Sequence, residues 1–395
     1  MSRTEPPNGL DTGGVQSIPE QKQAQLLAGP SRSGTLFLNV VLYGLAIGLT
    51  LAISALLVTV VGASPSSVFT ALYDGALRDG AAIGQTLDES IPILIVALGA
   101  VIASRGGIIN IGPEGQLIFG AMVGAAIGLF APGPGPLVLL LTLLGAAVGG
   151  GIWAGIAALL RYTRGIDIVI STLLLNFIAF EVVSFAVNRP WLLRETKSPG
   201  EITVPQSDQL PLGVRLPRIG EFPDFNFGTG LFIAAVLVVV VTVMLFRSRW
   251  GFRLRMLGHN PKTAQRAGVS LVIVGGGALM LSGAFAGLAG GVMLSGSVFR
   301  IQAGFSNNVG FDGLLTALVA RRQPLAAVPV AIFFGMLRSG GTFLSAAGVP
   351  RFLVDVVRAL LVLAALFPPV FLEVRERRRE LARARAAARG EFAVE

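Results

Sequence analysis

The chain has 395 residues, 53% of them hydrophobic and only 13% charged, with 51 glycines, 22 prolines, no cysteine and a net charge of +9. Soluble proteins carry about 25% charged residues, and the apolar runs here recur near or above the ~18 residues that mark a spanning segment, so a large soluble domain is excluded. Disulfides and thiolate metal sites are excluded too, and the single histidine, His259, cannot build a metal site alone.

Residues 1–35 are polar, rich in Pro, Gly and Gln and without periodicity, which predicts a disordered tail. No apolar core follows the first basic residue, so a signal peptide is not expected. Apolar segments then fall at 36–62, 91–104, 108–130, 137–160, 166–188, 229–247, 271–295, 309–320, 324–340 and 353–372. A basic tail, "RERRRELARARAAAR", occupies much of 373–395. The expected fold is therefore an all-α polytopic membrane protein of about ten transmembrane helices, with the membrane-spanning body at 36–372. Most of the 31 Lys and Arg residues fall in one alternate set of connections: Arg105, Arg161/Arg164, Arg247 to Arg266, Arg321/Arg322 and the C-terminal tail. The positive-inside rule makes that side, and both termini, cytoplasmic. The charge is placed as in a membrane protein, so nucleic acid is not an expected partner. Ten spans divide into two sets of five that enter the membrane from opposite sides, which predicts two inverted five-helix halves.

Two stretches break the apolar pattern. "RGGIINIGPEGQLIFGAM" carries Asn110, Glu114 and Gln116 beside Gly112-Pro113. Gly and Pro remove helix-favouring geometry and a backbone donor, and broken backbone at membrane depth is tolerated only where protein or water satisfies it. This reads either as a discontinuous helix lining a conduit or as a short re-entrant turn with Glu114 paired to Arg105. "SNNVGFDGLLTALVARRQP" opens another short span, with Asp312 as either a ligand contact or a helix-start carboxylate. The fifth span carries Asp167, Asn176 and Glu181. Asn176 either bonds a polar solute or joins helices. "SGAFAGLAGGVMLSG" is a small-residue stripe suited to close helix packing. The three tryptophans are expected near interfaces or loops.

Between spans six and seven, "GHNPKTAQRAGVS" predicts a short capped helix: Asn260 as N-cap, Pro261 at N1, then Lys262, Thr263, Ala264, Gln265, Arg266 and Ala267, with Gly268 as the stop. A helix this short does not persist alone in water. It rests on its own chain or is gripped by a partner. The only lysines are Lys22, Lys197 and Lys262, none following a glycine, so no phosphate loop of the Gly-Lys type exists here. No nucleophile–base set or metal-ligand cluster stands out, and an enzyme is not expected.

"ASRGGIINIGPEGQLIFGAMVGA" resembles the Asn-Ile-Gly-x-Glu-Gly-Gln signature of bacterial ABC importer permeases, in the branched-chain amino acid/ribose-type superfamily and nearest its nucleoside and simple-sugar branch. "DIVISTLLLNFIA", "GHNPKTAQRAGVS…SGAFAGLAGG" and "GFDGLLTALVARRQP…FFGML" are similar to that family's later motifs, in order over roughly 36–372. The resemblance implies a type II importer core in a bacterial plasma membrane. Its implied partners are a second permease (a heteromeric pair), an ATPase subunit holding ATP and Mg, and a substrate-binding lipoprotein. It also implies that residues 260–268 are the coupling helix to the ATPase. Asn110, Glu114, Gln116, Asn176 and Asp312 are the matching pathway candidates. The cargo implied is a purine nucleoside or related simple sugar, with branched-chain amino acids as an alternative. An ion-coupled carrier using Glu114, Asp312 or Asp355 is the alternative from another class.

Overall fold

The computed structural model describes residues 64–196, 204–220 and 224–346, with 52–60 and isolated positions at 45, 48, 49 and beyond 346. The tail at 1–35, most of the first and last expected spans and Asp355 lie outside the described residues. Residues 52–60 are helical. The described helices are α1 (Pro65–Leu77), α2 (Gly80–Arg105), α3 (Pro113–Phe130), α4 (Gly135–Arg164), α5 (Ile168–Val187) and α6 (Gly230–Arg247). They continue with α7 (Arg249–His259), α8 (Pro261–Arg266), α9 (Gly277–Met293), α10 (Val309–Val319) and α11 (Pro324–Ala346). Wider π-type turns at Val272–Gly276 and Leu294–Val298 extend α9 at both ends.

Seven of the described helical segments are long and apolar enough to cross a membrane, and α10 is a shorter apolar helix. The described part is thus a mostly helical, multi-pass membrane bundle. α2 is its axis. From Ile91 to Ala103 every residue is buried, because a helix that is apolar all round has no polar face to offer water. It packs against α9, α10, α11 and α1.

α2 also corrects an expectation. The span drawn at 91–104 begins at Gly80 and runs for 26 residues, with Pro92 inside it. Asp79 starts it by accepting a 2.8 Å hydrogen bond from the Ala82 amide, a side-chain cap of the usual kind. Residues 64–90, left between the first two expected spans, are largely helix: α1 and the first turns of α2.

The small-residue stripe behaves as its composition predicts. A Cβ on Gly287 would lie 2.1 Å from the Ala146 carbonyl, and one on Gly150 would lie 2.3 Å from that of Gly283. α4 and α9 therefore touch backbone to backbone, the close approach that small residues permit. Trp153 departs from its expectation. It is buried within α4, stacked on Phe119 at 4.2 Å, and donates to the Leu175 carbonyl at 3.2 Å. A buried indole N–H needs a partner, and α5 supplies it.

The arginine-rich connections gather at one end of the bundle. The Arg105 Nε donates to the Arg322 carbonyl at 2.7 Å. The guanidinium groups of Arg105 and Arg255 both lie over the Phe246 ring, at 5.4 and 5.6 Å. At the opposite end, parts of 189–228 fold down as a cap. Ser207, Leu210 and Leu216 donate their amides to the carbonyls of Ile301, Phe299 and Ser295, each at 2.8 Å. Strands β1 (Arg218–Ile219) and β2 (Phe227–Gly228) pair antiparallel. Asp88 of α2 ties them down, accepting from Arg218 at 2.5 Å and from the Gly228 amide at 2.7 Å.

Candidate functional site

α2 ends at Arg105 and α3 starts at Pro113, so the backbone between them is irregular, as the Gly-Pro pair predicts. Asn110 and Gln116 form a reciprocal amide pair across the break, with contacts of 2.9 and 3.1 Å. Asn110 also accepts from the Gly112 amide at 2.9 Å and donates to Ser282 of α9 at 3.1 Å. Asn176 of α5 closes the other side, donating to the Ile111 carbonyl and accepting from the Gly115 amide, both at 2.9 Å. The Ile111 amide donates to the Thr172 hydroxyl at 3.2 Å. Backbone groups freed by the break thus find side-chain partners on α5 and on Asn110 itself, while Ser282 of α9 holds the Asn110 side chain.

Glu114 sits in the first turn of α3 and is 1% exposed. It does not pair with Arg105, whose guanidinium is at the basic end. It accepts from the Ser306 hydroxyl, from the Gly310 amide at 2.7 Å and from the Asn308 amide at 3.2 Å. Asn307 and Asn308 adopt left-handed backbone, with φ of 44° and 65°, a region Asn tolerates better than most residues. That turn swings three donors onto one carboxylate. Gly310 permits the approach, since a Cβ there would lie 2.5 Å from the Glu114 Cα. The amino-terminal turns of α3 and α10 therefore meet at a single carboxylate, which suits the partial positive charge of both helix starts.

A second charged group lies behind α10. Asp312 occupies its first turn and is 4% exposed. Arg338 of α11 donates to Asp312 at 3.0 Å, to Glu89 of α2 at 2.8 Å and to the Asn307 carbonyl at 2.9 Å. One guanidinium thus joins three elements, the forked geometry that favours Arg in buried pairs.

All five sequence-predicted positions are buried and bonded within the chain. Asn110, Gln116 and Asn176 share one network, Glu114 lies next to it, and Asp312 belongs to the Arg338 group. Sequence reading missed Thr172, Ser282, Ser306 and Glu89. An arginine inside the span at 324–340 was the one available hint, because an intramembrane Arg demands acceptors.

At the basic end, Asn260 caps α8 by accepting from the Thr263 amide at 3.1 Å, and Gly268 leaves it at φ 80°. The helix covers Pro261–Arg266, with Ala267 at its C-cap. Ala264 is buried, while Pro261, Lys262, Thr263, Gln265 and Arg266 are exposed. α8 packs against α7 and offers the rest of its surface outward. Among the described residues no three of His, Asp and Glu converge on a common point.

The described part is a multi-pass bundle in which α3 and α10 meet start to start at Glu114. The family model described as "branched-chain amino acid transport system / permease component" matches residues 82–366, and the chain belongs to that family. It is 31% identical over 322 residues to the guanosine ABC transporter permease NupP of Bacillus subtilis, covering 81% of this chain and 90% of that one. It is 30% identical over 334 residues to the glucose ABC transporter permease TsgB13 of Haloferax volcanii, covering 82% and 86%. The nucleoside ABC transporter permease NupB of Lactococcus lactis is 26% identical over 321 residues, covering 78% and 86%. No solved structure matches. The chain is an ABC transporter permease subunit, not an enzyme.

Proposed function

We propose that this chain carries a nucleoside, with guanosine as the leading candidate, through the membrane as half of a heteromeric permease pair. The observation that carries the reading is the 31% identity to a guanosine permease along 90% of that protein's length. B. subtilis has a second guanosine permease, NupQ, 27% identical to this chain over 267 residues, which supports two different permeases working together. Similarity to a glucose permease keeps simple sugars as the second cargo class.

The full protein has ten spans in two inverted halves, with the arginine-rich end in the cytoplasm. Support for the inverted halves is the way α3 and α10 meet start to start at Glu114. Asn110, Glu114, Gln116, Asn176 and Asp312 frame the pathway by fixing broken backbone against which the solute moves. α8 is the coupling helix: its capped, outward-facing turn is held by α7 and free to be gripped by an ATPase subunit that binds ATP and Mg. A binding protein delivers solute to the cap formed by parts of 189–228. Closure of the ATPase pair pushes α8 and rocks the halves about the pathway. Family membership favours this over an ion-coupled carrier.

Labelled guanosine uptake in cells with and without the chain tests the cargo, with glucose, ribose and leucine as competitors. Loss of uptake that the competitors do not mimic supports the reading; uptake blocked by glucose moves the cargo to sugars. Arg266→Glu tests coupling. It should weaken co-purification with the ATPase without changing the melting temperature, and undiminished co-purification would overturn the role of α8.

A further inference from the structure

The arginine-rich end of the bundle gathers like charge without neutralising it. The ion pairs among the described residues all lie elsewhere: Arg218 with Asp88, Arg300 with Glu195, and Arg338 with Glu89 and Asp312. Asp167 is the one described carboxylate at this end, and it is occupied in capping α5, where it accepts from the Val169 and Ile170 amides. Outside the described residues, 1–35 balance three basic against three acidic side chains, the last expected span balances Arg358 against Asp355, and 373–395 hold seven arginines and five glutamates. No net negative charge comes from them.

At the centre of this end two guanidinium groups are fixed in place. Arg105 donates its Nε–H to the Arg322 carbonyl at 2.7 Å. Arg321 and Arg322 both adopt left-handed backbone, with φ of 50° and 59°, a conformation uncommon outside glycine, and the turn they make brings Arg322 to Arg105. Arg255 donates to the Leu245 carbonyl, one of the last-turn carbonyls that a helix cannot satisfy itself. Both guanidinium groups also lie over the Phe246 ring. The charges that bear on Arg105 are those of Arg322 and Arg255, both positive. Each guanidinium has five N–H donors, and most of those on Arg105 and Arg255 have no acceptor among the described residues.

Phe246 also ends an apolar line. Phe232, Val236, Val239, Val243 and Phe246 are exposed, at spacings of four, three, four and three residues that keep one face of α6. The face suited to lipid tails therefore runs directly into the paired arginines. Beyond it, α7 places Trp250 and Phe252 among Arg249 and Arg253, the aromatic and basic mixture of a membrane–water boundary.

We propose that Arg105 and Arg255 form a binding site for the headgroup of an anionic phospholipid, with its acyl chains laid along the exposed face of α6. The free N–H forks take the phosphate oxygens, the geometry in which guanidinium is strongest, and the bound charge offsets the repulsion among Arg105, Arg255 and Arg322. The site is independent of the cargo.

Native mass spectrometry of the assembled transporter, purified from bilayers of equal phosphatidylglycerol and phosphatidylcholine, tests this. The native complex should retain phosphatidylglycerol about tenfold or more over phosphatidylcholine, as expected where arginines meet an anionic headgroup. Arg105→Gln with Arg255→Gln should abolish that preference. Arg161→Gln with Arg164→Gln, which removes the same charge from the same end, should leave it. Equal retention of the two lipids by the native complex overturns the proposal, even if the double variant fails to assemble. An equal loss in both double variants also overturns it, since bulk charge would then be the cause. Displacement by inorganic phosphate makes this a free-anion site and not a lipid site. Phosphatidylglycerol retained only after the ATPase is stripped off makes the ATPase the native occupant. If it is retained only after Glu373→Gln, Glu376→Gln and Glu380→Gln together, the tail is the occupant.

Discussion

Glu114 and Glu181 are the same side chain in two apolar helices, and their surroundings are opposite. Glu114 is buried and takes hydrogen bonds from Ser306, Asn308 and Gly310. Glu181 is exposed and has no partner among the described residues. The first carboxylate is satisfied by its own chain and fixes where two broken helices meet. The second is met by no donor among the described residues. A carboxylate inside a span therefore acts as a fastener only where the fold brings donors to it.

Four substitutions sharpen or break that contrast. The largest effect is expected at Arg338, whose loss strands Asp312 and Glu89 without their shared cation. Removing one partner of a buried ion pair costs about 3–5 kcal/mol, so Arg338→Met should lower the melting temperature of the purified complex sharply. Pairing it with Asp312→Leu should recover part of the loss, and no recovery would argue against direct coupling. Next comes Glu114→Gln, which sets an NH2 group against donors that need an acceptor. A cost of about 2 kcal/mol, in line with a buried donor left unmet, should appear as reduced stability and reduced transport together. Retained stability with lost transport would make Glu114 a solute contact instead and collapse the contrast. Asn176→Leu removes the acceptor for the Gly115 amide and the donor to the Ile111 carbonyl. Thermal unfolding should register about 1–2 kcal/mol. The smallest change belongs to Glu181→Gln, where melting should shift by the equivalent of less than about 0.5 kcal/mol. A large drop there would show that Glu181 is held in place like Glu114 and would remove the contrast.

Much of this was legible before any coordinates. Gly112-Pro113 announced the break because the backbone geometry of those residues is local. The Asn260, Pro261 and Gly268 signals drew α8 to within one residue for the same reason. The start of α2 was misplaced because Gly80 to Ser90 lacks the apolar density of a span, although Asp79 could have flagged the cap. Trp153 was misassigned because an indole in mid-helix reads the same whether its N–H meets solvent or the Leu175 carbonyl.

Composition and short-range pattern by themselves determined the class, the approximate place of most described spans, the arginine-rich end, the Gly112-Pro113 break and the capped helix. These depend on hydrophobicity and on groups a few residues apart. Tertiary structure alone decided the partners of the intramembrane charges. Ser306 is 192 residues from Glu114, and Glu89 is 249 from Arg338. No local rule links such pairs, since a buried carboxylate requires donors without specifying which part of the chain brings them. The bare face of Glu181 is the converse. Only packing the other helices shows that none of the described ones reaches it.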